Sequence, residues 1–221
     1  MRTLRLIPPH RGDCPAVPDR QPDPEPRAIL ERGVDASRAG GARASESGQR
    51  HTDVLRWGIL PRWAKDRKAS LRPINARAET VATAPMFRDA FARRRCLVPA
   101  DAFYEWQPGR GDKQPYAAGR QDGQPMALAA LWEAWRGPDS EVLETFTIIV
   151  TAANATLAPI QDLMPVVVEP EDWPALLGEA AGDPAVLLRP APEAVVRVWP
   201  VGRAVNAAAN RGAALLEPAA G

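Results

Sequence analysis

All thirteen aromatic residues of this 221-residue chain lie at or beyond Trp57, while seven of its 24 prolines fall within the first 26 residues. A stretch rich in Pro, Arg, Gly and Ser and lacking large side chains cannot bury enough apolar area to offset the entropy of ordering it. Residues 1–52 therefore read as a poorly ordered or aberrant leader, and residues 53–221 as the folded domain.

Several classes of chemistry drop out at once. Cys14 and Cys96 are too few for a disulfide framework, and with His10 and His51 as the only imidazoles there is no zinc spacing, so neither metal nor cofactor is expected. The longest apolar run, Met126 to Trp132, is far short of the ~20 residues that span a bilayer, and Pro8 and Pro9 interrupt any signal-peptide core. The expectation is a cytoplasmic monomer with no membrane partner.

The net charge of +1 conceals a segregation. Residues 56–95 carry eleven basic side chains against three acids, a local charge of +8, and residues 96–221 sum to −8. A chain polarised in this way can present a basic surface to an anionic partner, although a solvated face accounts for a charge cluster equally well. Short β-branched or aromatic runs bounded by Gly, Pro or Asp predict strands at 54–57, 103–106, 126–132, 146–150, 166–168 and 195–201. Helices are predicted over 85–94, with Met86, Phe87, Ala90 and Phe91 as its apolar stripe, and over a short stretch from Pro170 to Leu177. Without a regular strand–helix alternation, the fold class is α+β, with a mainly antiparallel, barrel-like sheet and flanking helices.

Glu105 is the most informative polar residue, because it sits between Tyr104 and Trp106 in a strand-like run where a carboxylate is costly unless held by a partner or a function. The plain alternative is an outward-facing strand position. Asn75 and Arg77 are two apart, so on a strand they share a face and offer an amide beside a guanidinium fork suited to phosphate. Trp57 reads as core, whereas Trp63, flanked by Arg62 and Lys65, is the candidate platform for a nucleic-acid base. Cys96 reads as a buried strand residue. With no His after His51, proton transfer in the domain must use Glu, Asp or water.

In order along the chain, Leu55-Arg56-Trp57-Gly58, Asn75-Ala76-Arg77-Ala78-Glu79-Thr80, Phe87-Arg88-Asp89-Ala90-Phe91, Arg95-Cys96-Leu97-Val98-Pro99-Ala100-Asp101, Phe103-Tyr104-Glu105-Trp106, Gln114-Pro115-Tyr116, Asp162 with Met164-Pro165, and Leu215-Leu216-Glu217-Pro218 strongly resemble the SRAP family, the SOS-response-associated peptidases or abasic-site processing proteins. The resemblance covers about residues 53–221. It implies an α+β domain that grips single-stranded DNA and forms a DNA–protein crosslink at an abasic site. A Cys following the initiator Met condenses with the ring-opened aldehyde, and self-processing peptidase and lyase-type activities accompany this step. It also implies residence with the nucleoid. Carried over by position, Asn75, Glu105 and Gln161 are the catalytic set, and Arg77, Trp63, Arg62 and Thr151 the DNA-binding set.

Two departures touch the reaction. Met1 is followed by Arg2 where the family has Cys, and Gln161 stands where the family has His. Glutamine donates and accepts hydrogen bonds but exchanges no proton near neutrality. The alternative expectation is therefore a catalytically impaired module that binds single-stranded DNA. A Glu105-based hydrolase acting without DNA leaves the +8 segment without a partner.

Overall fold

The computed structural model describes residues 5–7, 38–44, 50–67, 73–108, 113–138, 140–207, 209–210 and 212–219. His10, Cys14 and most of the leader lie outside the described residues. The described parts of 1–52 supply strands β1 (Arg5–Ile7) and β2 (Arg38–Ala44) and the beginning of β3 (Arg50–Trp57), so the boundary drawn at Asp53 falls inside a strand. The later strands are β4 (Asn75–Arg77), β5 (Arg95–Ala100), β6 (Ala102–Trp106), β7 (Pro115–Arg120), β8 (Met126–Arg136), β9 (Val142–Ala152), β10 (Leu163–Pro165) and β11 (Val196–Pro200). Two short α-helices, α1 (Arg88–Arg93) and α2 (Trp173–Leu177), flank them.

The fold is α+β, built on two sheets. One runs β1-β6-β7-β11 and is antiparallel throughout. In the other, the pairings β9-β3-β2-β5-β8 return to β9, so the sheet curls into a barrel-like form. Only the β3–β9 and β4–β9 pairings are parallel among the described strands.

The period of two in a strand explains how one sheet serves two cores. In β8, Met126, Leu128 and Ala130 join the inner core, and Ala127, Ala129 and Leu131 join the outer one. The run is apolar at every position because both faces are covered. The second sheet closes the inner core with Phe103, Ala118 and Val196. Trp57 lies in that core, stacked on Phe146 with ring centroids 6.0 Å apart, and its indole N–H donates to Ile74 O at 2.7 Å. Gly58, at φ 103°, then turns the chain out of β3 in a conformation that side chains resist. The outer core is covered by Ala90 and Phe91 of α1 and by Leu176 and Leu177 of α2.

The expected strand at 166–168 is reduced to a bridge, Val167 to Leu128, on the edge of β8 opposite β5, held by Ala129 N–H to Val166 O and Val168 N–H to Ala127 O. The first helix begins at Arg88 rather than Pro85, since successive turns carry the chain from Ala78 to Phe87. The strand expected at Cys96 is β5, with Cys96 buried in it, whereas β7, a run containing Pro, Gly and Arg, was not expected as an element.

Much of the basic cluster after α1 is structural. Arg95 donates to Phe91 O at 2.5 Å, Ala92 O at 2.9 Å and Leu176 O, satisfying carbonyls at the ends of both helices. Arg94 Nη2 lies 2.7 Å from Glu133 Oε1, with the two side chains only 13% and 4% exposed. Arg120 of β7 reaches Asp122 in the following turn and Glu169 beyond β10, tying the sheets together. Hydrogen bonds from Arg120 hold the Asp122 carboxyl down at about 2.

Replacing Arg94 by Met leaves the Glu133 carboxylate stranded in the core and should cost about 3 to 5 kcal/mol in denaturant unfolding. Adding Glu133→Leu should recover most of that loss. Equal stability of Arg94→Met and parent would show that the ion pair contributes nothing.

Candidate functional site

Three short elements meet at the rim where the two sheets join. β4 lies parallel to β9, with Asn75 opposite Ile148 and Arg77 opposite Val150. Ala76 between them is buried in the outer core, which leaves Asn75 and Arg77 on the other side of the strand. In β6, Glu105 stands on the same face as the inner-core residue Phe103 and is only 5% exposed. The outward-facing alternative is therefore not adopted. β10 pairs with the end of β9, Leu163 opposite Ala152 and Pro165 opposite Val150.

Together these elements line a cavity of about 680 Å³. Asn75, Arg77, Glu79, Glu105, Gln161 and Asp162 supply its polar groups, and Val150, Ala152 and residues 163–165 its apolar wall. Gln161 Nε2 donates to Glu105 Oε2 at 3.0 Å, while its Oε1 accepts from the backbone N–H of Asp162 at 3.1 Å. Asn75 Oδ1 is buried without a hydrogen-bond partner among the described residues, an acceptor that a ligand donor would satisfy. Arg77 is the one cation of the lining among three carboxylates. A phosphate is therefore favoured beside Arg77 and disfavoured beside the buried Glu105, where the arrangement suits an uncharged polar group that can exchange a proton with it.

The structure brings together Asn75, Arg77, Glu105 and Gln161 and leaves three other residues singled out in the sequence apart. Thr151 is buried opposite Met164, between the lining residues Val150 and Ala152, and alternation turns it to the other side of β9. Trp63 is 61% exposed and Arg62 is exposed, both in the turn after β3. Trp135 fastens that turn by donating to Ala64 O at 2.7 Å, and Arg67 pairs with Glu141 at 2.5 Å. Both anchors lie at the β8–β9 hairpin end, roughly 25 Å of strand away from the cavity end of β9.

Sequence reasoning passed over Glu79, Asp162 and Asn154. The first two carried no signal beyond being acids in matched blocks. Asn154 is buried, its Oδ1 accepts from Leu157 N–H at 3.1 Å, and its Nδ2 donates to Ala191 O at 3.0 Å. It shapes the turn that delivers Gln161, whose backbone N–H donates to Leu157 O. An Asn ahead of a Pro-containing segment was the available turn signal.

Comparison with known proteins bears on this site. The model of the SOS response associated peptidase (SRAP) family matches residues 20–208. The chain is 38% identical over 169 residues to the abasic site processing protein YoqW of Bacillus subtilis (strain 168), covering 74% of this chain and 75% of that one. It is 35% identical over 176 residues to the abasic site processing protein YedK of Escherichia coli (strain K12), covering 76% and 75%. Among crystal structures, a Bacteroides thetaiotaomicron protein superposes with a TM-score of 0.74 at 24% identity, over 83% of this chain and 82% of that one, a likeness of fold. A Bordetella bronchiseptica protein gives 0.66 at 25% identity over 75% and 84%.

Truncating Asn154 to Ala removes two buried hydrogen bonds and should lower stability by about 1 to 3 kcal/mol in chemical denaturation. A native unfolding midpoint in that variant would show that the turn carrying Gln161 holds without it.

Proposed function

The chain belongs to the SOS response associated peptidase (SRAP) family, and from that membership and the cavity we propose that it binds single-stranded DNA, receives an abasic site and joins the ring-opened sugar covalently. One observation carries the reading: Asn75 and Arg77 from one sheet and Glu105 from the other converge on a single cavity. Relatives named abasic site processing proteins support the kind of lesion.

Arg77 offers a guanidinium fork to a backbone phosphate. The carboxylates repel phosphate from the interior, which leaves that space to a sugar that has lost its base and, ring-opened, presents an uncharged aldehyde. Because Met1 is followed by Arg2, the thiol implied by the family resemblance is not supplied at that position. Glu105 is the proton acceptor of the cavity, and the Asn75 side-chain oxygen orients the donor. The same two residues serve the self-processing peptidase step and the lyase-type reaction. On their exposed turn, Trp63 and Arg62 contact the strand away from the lesion by stacking and charge, and Thr151 supports the wall from behind. These partners put the protein where single-stranded DNA is exposed on the nucleoid. Among the described residues no helix is long and apolar enough to cross a membrane.

The Gln161 to Glu105 hydrogen bond favours a second reading. An amide cannot exchange a proton near neutral pH, so the chain in this reading retains the groove and binds the lesion without joining it.

Incubation with a single-stranded oligonucleotide bearing an abasic site separates the two. A heat-stable shifted band is expected for covalent capture, and binding without that band supports the second reading. Absence of binding to damaged and intact strands alike would sink both. Arg77→Ala should weaken single-strand binding about tenfold or more and reduce the dependence of log affinity on log salt by roughly one. Equal affinities of mutant and parent across several salt concentrations would remove the phosphate role.

A further inference from the structure

We infer that Gln161 is a positioning residue whose side-chain amide holds the Glu105 carboxylate in orientation and favours its charged form. The inference rests on the reading of Glu105 as the proton-accepting group of the cavity.

Glu105 is 5% exposed, and burial disfavours a charged carboxyl. Among the residues that line the cavity with it, Glu79 just after β4 and Asp162 next to Gln161 oppose its ionisation and Arg77 of β4 favours it, beside further contacts that Glu105 itself makes. Tyr116, its pairing partner on β7, turns its hydroxyl to donate to Gln107 Oε1 at 3.2 Å. Against that balance, Gln161 aims a donor at Oε2 from 3.0 Å. A donor to the charged form favours it.

The direction of that hydrogen bond is fixed. Gln161 Oε1 already accepts the Asp162 N–H, which leaves the amide nitrogen facing Glu105, and the segment is braced by the Gln161 N–H to Leu157 O bond. No His occurs after His51, and none of the residues lining the cavity with Glu105 is an imidazole. An amide gives constant support where an imidazole would give support that comes and goes.

The test is a carboxyl-carbon NMR titration of glutamate-labelled full-length protein, with the Glu105 signal assigned by its loss in Glu105→Gln. In Gln161→Met, which keeps the side-chain length and removes the donor, the midpoint should rise by roughly one to two pH units. In Gln161→His, the Glu105 signal should acquire a second step near about pH 6.5 as the imidazole titrates. A Gln161→Met midpoint equal to that of the parent, in a variant with unchanged thermal unfolding, overturns the inference. If the Met variant fails to fold, a His variant without the second step overturns it. The titration needs no DNA, so a parent that binds no abasic strand yet shows these shifts would defeat the proposed function alone.

Discussion

The packing of the four-stranded sheet onto the inner face of the curled sheet is the constraint on which the rest depends. Phe103, Ala118 and Val196 from one side meet Leu128, Phe146, Ile148 and Val150 from the other in one dry core. Each large side chain buried there contributes about 1.5 to 3 kcal/mol. Glu105 lies two residues along β6 from Phe103, and Asn75 pairs with Ile148, so both polar groups stand where the apolar contact ends. A lateral slip between the sheets would separate the carboxylate from the amide and guanidinium before it exposed much apolar surface. The accuracy of the polar site is borrowed from the apolar one.

Charge is spent differently from what the segment totals suggest. Of the basic residues in 56–95, Arg95 serves helix carbonyls, Arg94 is committed to Glu133 and Arg67 to Glu141. Among the described residues, those left facing solvent or the cavity include Arg77 beside β10, Arg62 and Lys65 in the turn bearing Trp63, and Arg88 and Arg93 on α1. The acids likewise divide between ties such as Glu169 to Arg120 and the cavity wall of Glu79, Glu105 and Asp162.

What the sequence made legible follows physical rules of short range. Asn75 and Arg77 share a face because they are two apart on a strand, and Glu105 was conspicuous as a carboxylate between two aromatics. The α+β class followed from the absence of strand–helix alternation. Less was legible where the deciding partner is distant in sequence. β5 was legible only at Cys96, its extent being set by β8 beside it, and β7 becomes a strand because β6 lies beside it. Nothing local tells that Gln161 will reach Glu105 across 56 positions, or that Asn154 shapes the turn that brings it there.

β9 is shared among β3, β4, β8 and β10, and this has a consequence for how the protein comes into being. β4 has its pairing partner some 70 residues downstream, and the Gln161 segment follows later still. During synthesis the Asn75 and Arg77 pair waits without its sheet until β9 has been made, and Glu105 waits longer for its amide. Contacts of such separation form late and slowly. The cavity is thus a product of the finished domain, and no emerging fragment that stops short of β10 holds its complete lining.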